Sequence, residues 1–386
     1  VADTEAEPVV EPLPGKPRVA IIGAGPAGVA CANYLGANGI KSTIFEALPE
    51  AGGMAAVGIP DYRLPRQVLR SEVERVEALG VEIRYNFRFG VDATMDDLFN
   101  QGYEAMFVAV GAHQSARMGC EGEDAGYDGF MPGVEFLREI AFGATPLTGE
   151  TMLVIGGGNV AMDCARTARR LGFDDVKLLY RRTEAEMPAD PVEIAEAKEE
   201  GVEMVTLVAP TRIVAEDGVV KGLECRRMQL GEPDASGRRR PEPIEGSEFV
   251  IPCDCIVPAI GQVCSVDQLM PSHVEVSKWK TIEVDPLTMQ SSDPRVFGGG
   301  DCYTGPSSLV AALAAGRRAA VSIAAFLQGC DPAPTPEERL EHAMLAVVRD
   351  EVQAPIPFTG STEKLRPAVV PPEVRIQCFD EVEGPV

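Results

Sequence analysis

"RVAIIGAGPAGVACANYL", residues 18–35, is an apolar run, then glycines, then the start of a helix. Gly23, Gly25 and Gly28 fit the spacing G-x-G-x-x-G, with Pro26 and Ala27 between the last two. In a strand–turn–helix unit the first glycine permits the tight turn. The second lets a backbone approach a pyrophosphate, and the third lets helix and strand pack closely. The helix N-terminus then faces the phosphates. "IKSTIFE" follows, ending at Glu46, where a carboxylate suits a free ribose hydroxyl.

Working outward, the pattern recurs. "MLVIGGGNVAMD" (152–163) places Gly156, Gly158 and Ala161 in G-x-G-x-x-A, with Asn159 and Val160 opening the helix. The strand that follows is "VKLLYRR". Matching "IK" (40–41) to "VK" (176–177) sets Glu46 opposite Arg182, with Arg181 beside it. One such glycine motif is a weak signal. Two, each followed by a ribose-slot strand, define two dinucleotide-binding units with opposite charge at the same slot. Glu46 suits FAD or NAD. Arg181 and Arg182 suit a phosphorylated ribose such as that of NADPH, or form a solvated basic pair at a strand end. The fold class is therefore α/β, two Rossmann-like domains with the NAD(P) domain inserted into the FAD domain.

The chain has 386 residues, enough for two or three domains, and 45% of them are hydrophobic. A net charge of −24 argues against nucleic acid and anionic membrane surfaces as partners. No uncharged apolar run approaches a membrane span. The segment "VADTEAEPVVEPLPGK" is acidic, unlike a secretory or transit peptide, which implies the cytoplasm. None of the ten cysteines forms C-x-x-C, so they read as buried thiols, and no metal site is expected.

Residues 1–17 read as an N-terminal arm. Residues 18–128 and 263–330 form the first domain, 145–262 the second, and 331–386 a Pro-rich tail. Residues 126–149 read as a linker. Between 206 and 250 hairpin-like strands surround a polar turn. "CIVPAIGQ" (255–262) resembles "FVAVGAH" (107–113), an apolar strand then glycine, and marks the return to the first domain. In "RVFGGGDCYTGPSSLVAALAAGRRAAVSIAAFL" (295–327) a strand ends near Gly300 and Asp301, and an Ala-rich helix starts near Ser307. Asp301 can accept from a ribityl hydroxyl, and the helix N-terminus can stabilise negative charge on a flavin ring; a plain turn or cap is the alternative.

These stretches, with "GIPDYRLP", "YRRTEAEMPA" and "PAIGQ", resemble the small subunit of NADPH-dependent glutamate synthase and the matching domains of dihydropyrimidine dehydrogenase. The resemblance spans about residues 17–330, with a weaker echo near 371–383. It implies FAD contacts at Gly23, Gly25, Gly28, Glu46, Gly53, Met54, Arg63, Gly111, Asp301 and Ser308–Leu309. It implies nicotinamide-nucleotide contacts at Gly158, Asn159, Val160, Ala161, Arg181 and Arg182, with Ala259, Ile260 and Gly261 near the ring. The cofactors carry the hydride chemistry, so no catalytic acid or base is expected. The family's Cys-rich iron–sulfur domain is not seen before Gly23 or after the tail. Electrons are therefore expected to pass to an iron–sulfur partner subunit, and on to a separate catalytic subunit of a larger complex. Glutamate synthesis and a tungsten aldehyde oxidoreductase-like reaction are both open. A stand-alone disulfide reductase and a non-catalytic flavin-bound scaffold are the alternatives.

Overall fold

The computed structural model describes residues 17–233, 239–332, 370–379 and 381. Most of the expected arm and most of the expected tail lie outside the described residues.

Two parallel sheets organise the chain. β1 (Arg18–Ile22), β2 (Lys41–Phe45), β3 (Glu82–Arg84), β4 (Tyr103–Val108) and β15 (Val296–Gly298) form the first, in the order β15-β4-β1-β2-β3. β6 (Thr151–Ile155), β7 (Asp175–Tyr180), β8 (Glu203–Thr206) and β13 (Cys255–Pro258) form the second, in the order β13-β6-β7-β8. Both are near-continuous apolar strands, as expected when helices cover both faces of a parallel sheet. In each, the chain leaves the central strand to one side and later returns on the other. That reversal opens a crevice beyond the carboxyl ends of the strands. β4 and β13, whose sequences resemble each other, occupy the same place beside β1 and β6.

α1 (Pro26–Ala37) and α9 (Leu309–Leu327) pack on the first sheet. Their contact is built from small residues. A Cβ on Gly316 of α9 would lie 2.1 Å from the Ala27 carbonyl oxygen of α1. α9 is the one described helix long and apolar enough to cross a membrane by length and composition. It carries Arg317 and Arg318 in its middle, and its small-residue face belongs to the first unit's core.

α5 (Gly133–Ala141) differs from expectation. It falls in the stretch read as a linker, yet Phe136 and Leu137 are buried in the second sheet's core with α6 (Asn159–Arg170). β9 (Val208–Glu216), β10 (Val219–Pro233), β11 (Arg239–Pro243) and β12 (Phe249–Pro252) make an antiparallel sheet beside the second unit. β5 (Gln114–Ser115) pairs with β14 (Gln262–Val263) where the chain crosses between units.

Candidate functional site

At the end of β1 the chain turns at Gly23, whose φ of +102° is open to glycine and rarely to other residues. A Cβ there would also meet the Ala109 carbonyl at 2.6 Å, the end of β4. Gly28 is equally constrained, since a Cβ would fall 2.0 Å from the Gly23 carbonyl. Gly25 differs. Its φ is −73°, which any residue adopts, and the nearest atom to a Cβ is 3.9 Å away. Among the described residues nothing requires glycine at that position. Pro26 opens α1, where a missing N–H costs nothing.

The second unit repeats this arrangement. Gly156 has φ +152°, and a Cβ would lie 2.3 Å from the Ala259 carbonyl at the end of β13. Gly158, at φ −97°, has no atom within 4 Å of a Cβ. Ala161 is fully buried against the turn, doing the work of the third small residue. Asn159 lies exposed at the helix start, and its Oδ1 accepts from the Asp190 backbone at 2.8 Å. Val160 is partly buried. In both units, then, the second glycine leaves room at a helix N-terminus. That room fits the pyrophosphate of a dinucleotide.

Glu46 follows β2 and is 6% exposed. Its Oε2 accepts from the Ala24 backbone at 2.6 Å and its Oε1 from the Leu48 backbone at 2.8 Å. Burial pushes its pKa up, and those backbone bonds pull it back. The carboxylate is thereby fixed beside the glycine turn with lone pairs to spare for hydroxyls.

The matching slot of the second unit is a correction. Gly23 N–H donates to the Phe45 carbonyl, and Gly156 N–H donates to the Leu179 carbonyl. Glu46 therefore corresponds to Tyr180, not to Arg182. The lysine match fails because Lys41 pairs with Arg18, five residues before Gly23, whereas Lys177 pairs with Leu153, three before Gly156. The Tyr180 ring lies over Gly157, and its hydroxyl donates to the Glu186 carbonyl at 2.9 Å. Arg181 comes next and is exposed. Arg182 is 7% exposed, its Nε donating to the Arg239 carbonyl at 2.8 Å. Arg239 in turn pairs with Glu186 at 2.8 Å.

Around the first crevice, Gly53 takes φ +53°, and a Cβ there would sit 2.8 Å from the Gly25 Cα. Met54 begins α2 (Met54–Val57), and its sulfur accepts from Gln262. Gly111 (φ +66°) follows β4, and Gly300 (φ +73°) precedes α8 (Asp301–Thr304), a short helix where a turn was expected. Asp301 is half-buried with its pKa raised by burial, and its Oδ1 accepts from the Ser307 backbone. Ser308 caps α9 by accepting from the Ala311 backbone at 3.2 Å, and Leu309 is exposed beside it. Ala259 is buried, Ile260 is exposed, and Gly261 takes φ +135° at the crossing to the first unit.

Arg63, expected among the FAD contacts, also has partners within the protein: both oxygens of Asp163 accept from its Nη1 at 2.8 Å, and Glu193 lies 2.8 Å from its Nε. These partners belong to the second unit, so Arg63 ties the units together. Sequence reasoning also missed Tyr180 and Gln262. A signal for the ion pairs was present in the spacing of Asp163, Arg166 and Arg170, which share one face of α6.

Two glycine cradles at the crevices of two parallel sheets, one beside a fixed carboxylate and one beside arginines, define a two-dinucleotide flavoprotein. Residues 17–316 match the family model described as pyridine nucleotide-disulphide oxidoreductase, and the chain belongs to that family. It is 51% identical over 368 residues to the NADP(+)-dependent formate dehydrogenase subunit beta of Moorella thermoacetica, covering 95% of this chain and 52% of that one. It is 42% identical to the NADPH-Fe(3+) oxidoreductase subunit beta of Geobacter sulfurreducens, covering 98% and 60%. To the small chain of Escherichia coli glutamate synthase [NADPH] it is 40% identical, covering 81% and 69%. The chain thus spans little more than half the length of the first two relatives. Among solved structures, Mycobacterium tuberculosis FprA in complex with NADPH aligns with TM-score 0.67 at 18% identity, over 86% of this chain and 90% of that one. Thioredoxin reductase of T. acidophilum aligns with TM-score 0.62 at 18% identity, over 80% and 97%. At these identities the likeness is one of fold. The cofactors of this class are FAD and a nicotinamide dinucleotide.

Proposed function

We propose that this chain is the FAD-bearing, NADPH-linked subunit of a larger redox complex. FAD occupies the first cradle, on Gly23, Gly25, Gly28, Glu46, Gly53, Met54, Gly111, Gly300, Asp301 and the Ser308–Leu309 turn. The nicotinamide nucleotide occupies the second, on Gly156, Gly158 to Ala161 and Arg181, with Ala259 to Gly261 near the ring. Bound there, the two cofactors supply hydride exchange between nicotinamide and flavin. The protein holds their phosphates on helix N-termini and the flavin ribose on Glu46. The observation that carries this reading is the pair of glycines, Gly25 and Gly158, that the fold itself does not need.

NADPH rather than NADH is favoured by Arg181, exposed at the end of β7. Arg182, held by the Arg239 carbonyl, backs that corner. The names of the relatives quoted above all carry NADP or NADPH, in agreement. They are also named as subunits or chains, which supports partner chains here. An iron–sulfur electron carrier and a separate catalytic subunit are the partners we propose.

The test is direct. Purified protein carries about one FAD per chain and is bleached by NADPH in stopped flow. Charge-assisted hydrogen bonds contribute about 1.5–3 kcal/mol. Arg181→Ala therefore raises KM for NADPH by about 10- to 100-fold and leaves NADH nearly unchanged. Equal loss with both nucleotides would remove Arg181 from the 2′-phosphate. Colourless protein that takes up no FAD would remove the whole reading.

A further inference from the structure

The densest buried charge in the described residues lies on the seam between the two units. α6 presents Asp163, Arg166 and Arg170, three then four residues apart. α7 (Pro191–Glu199) and its C-cap present Glu193, Glu196 and Glu200 at the same spacing. Such rows share one helix face, so the two rows meet. Arg166, wholly buried, reaches Glu193 at 2.6 Å, Glu196 at 2.7 Å and Glu200 at 2.9 Å. Arg170 reaches Glu200 at 2.6 Å.

Two segments from outside the second unit plug into this array. From the first unit, the Tyr62 ring lies 3.8 Å from the Arg170 guanidinium carbon and 5.0 Å from that of Arg166. Its neighbour Arg63 spans to Asp163 and Glu193. The other segment is residues 370–379, with α10 (Pro372–Arg375). Arg375 is 1% exposed. Its Nη2 donates to Glu199 at 2.5 Å, and its Nε lies 3.1 Å from Glu200. Four residues on, Phe379 packs on Tyr62 with ring centroids 6.3 Å apart. Phe379 also walls a cavity of about 270 Å³ with Pro60 and Asp61 of the first unit and Leu137 and Leu171 of the second.

A wholly buried arginine is uncommon, because desolvation is recovered only through close partners. This segment gives a guanidinium to the second unit and an aromatic ring that packs on Tyr62 of the first, so it holds both sides of the seam. We propose that residues 370–379 are a clamp, with Arg375 as a positioning residue, that fixes the nicotinamide-nucleotide unit on the FAD unit in one orientation for hydride transfer. The proposal rests on the reading of the two cradles as the FAD and NADPH sites. Orientation matters because reacting atoms must come within about 3–3.5 Å, and a misplacement of about 1 Å can cost about 100-fold in rate.

The experiment compares the full chain with Arg375→Ala, Arg375→Lys and Phe379→Ala, each measured for FAD content and for flavin bleaching over a range of NADPH concentrations. The clamp requires the limiting rate at saturating NADPH to fall about tenfold or more in both alanine variants, with half-saturation and FAD content unchanged. Lysine restores part of the rate, since it returns the charge without the fork. Phe379→Ala leaves no buried charge unpaired and stands in if Arg375→Ala does not fold. A normal limiting rate in the variants, whatever their melting temperatures, overturns the clamp and leaves a structural role. Wild-type protein that carries FAD but is not bleached by NADPH fails earlier, at the assignment of the second cradle.

Discussion

At the scale of single residues, the glycines separate into two kinds, and each kind makes its own prediction. Gly23, Gly28 and Gly156 are demanded by the backbone, through positive φ or a carbonyl within 2.6 Å of a Cβ. Gly25 and Gly158 are demanded by neither. Gly25→Ala is therefore expected to fold with an unchanged apoprotein melting temperature and to lose FAD. Gly158→Ala is expected to keep FAD and lose bleaching by NADPH. Differential scanning calorimetry with absorbance at the flavin bands checks both, and loss of apoprotein stability in either would place the glycine in the fold rather than in the cradle. Glu46 gives a sharper test of geometry. Both of its oxygens accept backbone N–H groups, so Glu46→Gln must turn its amide donor toward the Ala24 or the Leu48 N–H. Removing one acceptor while leaving its buried donor costs about 1–3 kcal/mol. The glutamine variant is accordingly expected to lose FAD about as badly as Glu46→Ala; full FAD retention in Glu46→Gln would mean that neither the negative charge nor the second acceptor oxygen is needed.

At the scale of elements, strand–glycine–helix units were legible in the sequence because their signals are local. The turn residues of Gly23 and Gly156 and the apolar strands before them sit within one short window. What was not legible was set by partners far along the chain. Arg63 finds Asp163 at a separation of 100 residues, and nothing near Arg63 announces it. The β7 register was misread because Lys177 looked like the counterpart of Lys41, while pairing with β6 is fixed by strand contact and not by a shared lysine. α5 passed as a linker although its apolar residues cover the second core. The packing of α9 on α1 was hidden for a related reason. Alanines and glycines carry a weak hydrophobic signal, yet here they allow a close approach of backbones. Because a Cβ on Gly316 would fall 2.1 Å from the Ala27 carbonyl, one helix must move. Overpacking of this kind costs about 1–3 kcal/mol. Gly316→Ala should lower the melting temperature and also weaken FAD retention, since Ala27 lies within the glycine motif of α1. A stable variant with full FAD would show that α9 can slide without disturbing the cradle.

At the scale of the whole molecule, the two units meet across ionisable groups, so their association carries a pH signature. Asp163 is almost wholly buried. Burial pushes its pKa up to about 6, although Arg63 beside it pulls the other way. Glu200 moves in the opposite direction. Burial raises it, but the hydrogen bonds from Arg170 and Arg166 outweigh that and leave it below its usual value. The sign for Asp163 follows from proton counting. Its unfolded pKa is about 3.9, so between that value and its folded pKa the native state holds a proton that the unfolded state has lost. Stability contributed by this group therefore rises as pH falls from 7 through about 6, and levels off below the unfolded value. Asparagine at position 163 stays neutral throughout and keeps an acceptor for Arg63, whose Nε still has Glu193. Glu46, Glu196 and Asp301 are also shifted upward by burial and give slopes of the same sign, so the informative quantity is a difference between proteins. Denaturant melts of wild type and Asp163→Asn at pH 5, 6 and 7 should show the wild type losing ground to the variant as pH rises from 5 to 7. A difference that stays constant across that range would mean Asp163 remains ionised in the folded seam, with Arg63 dominating over burial.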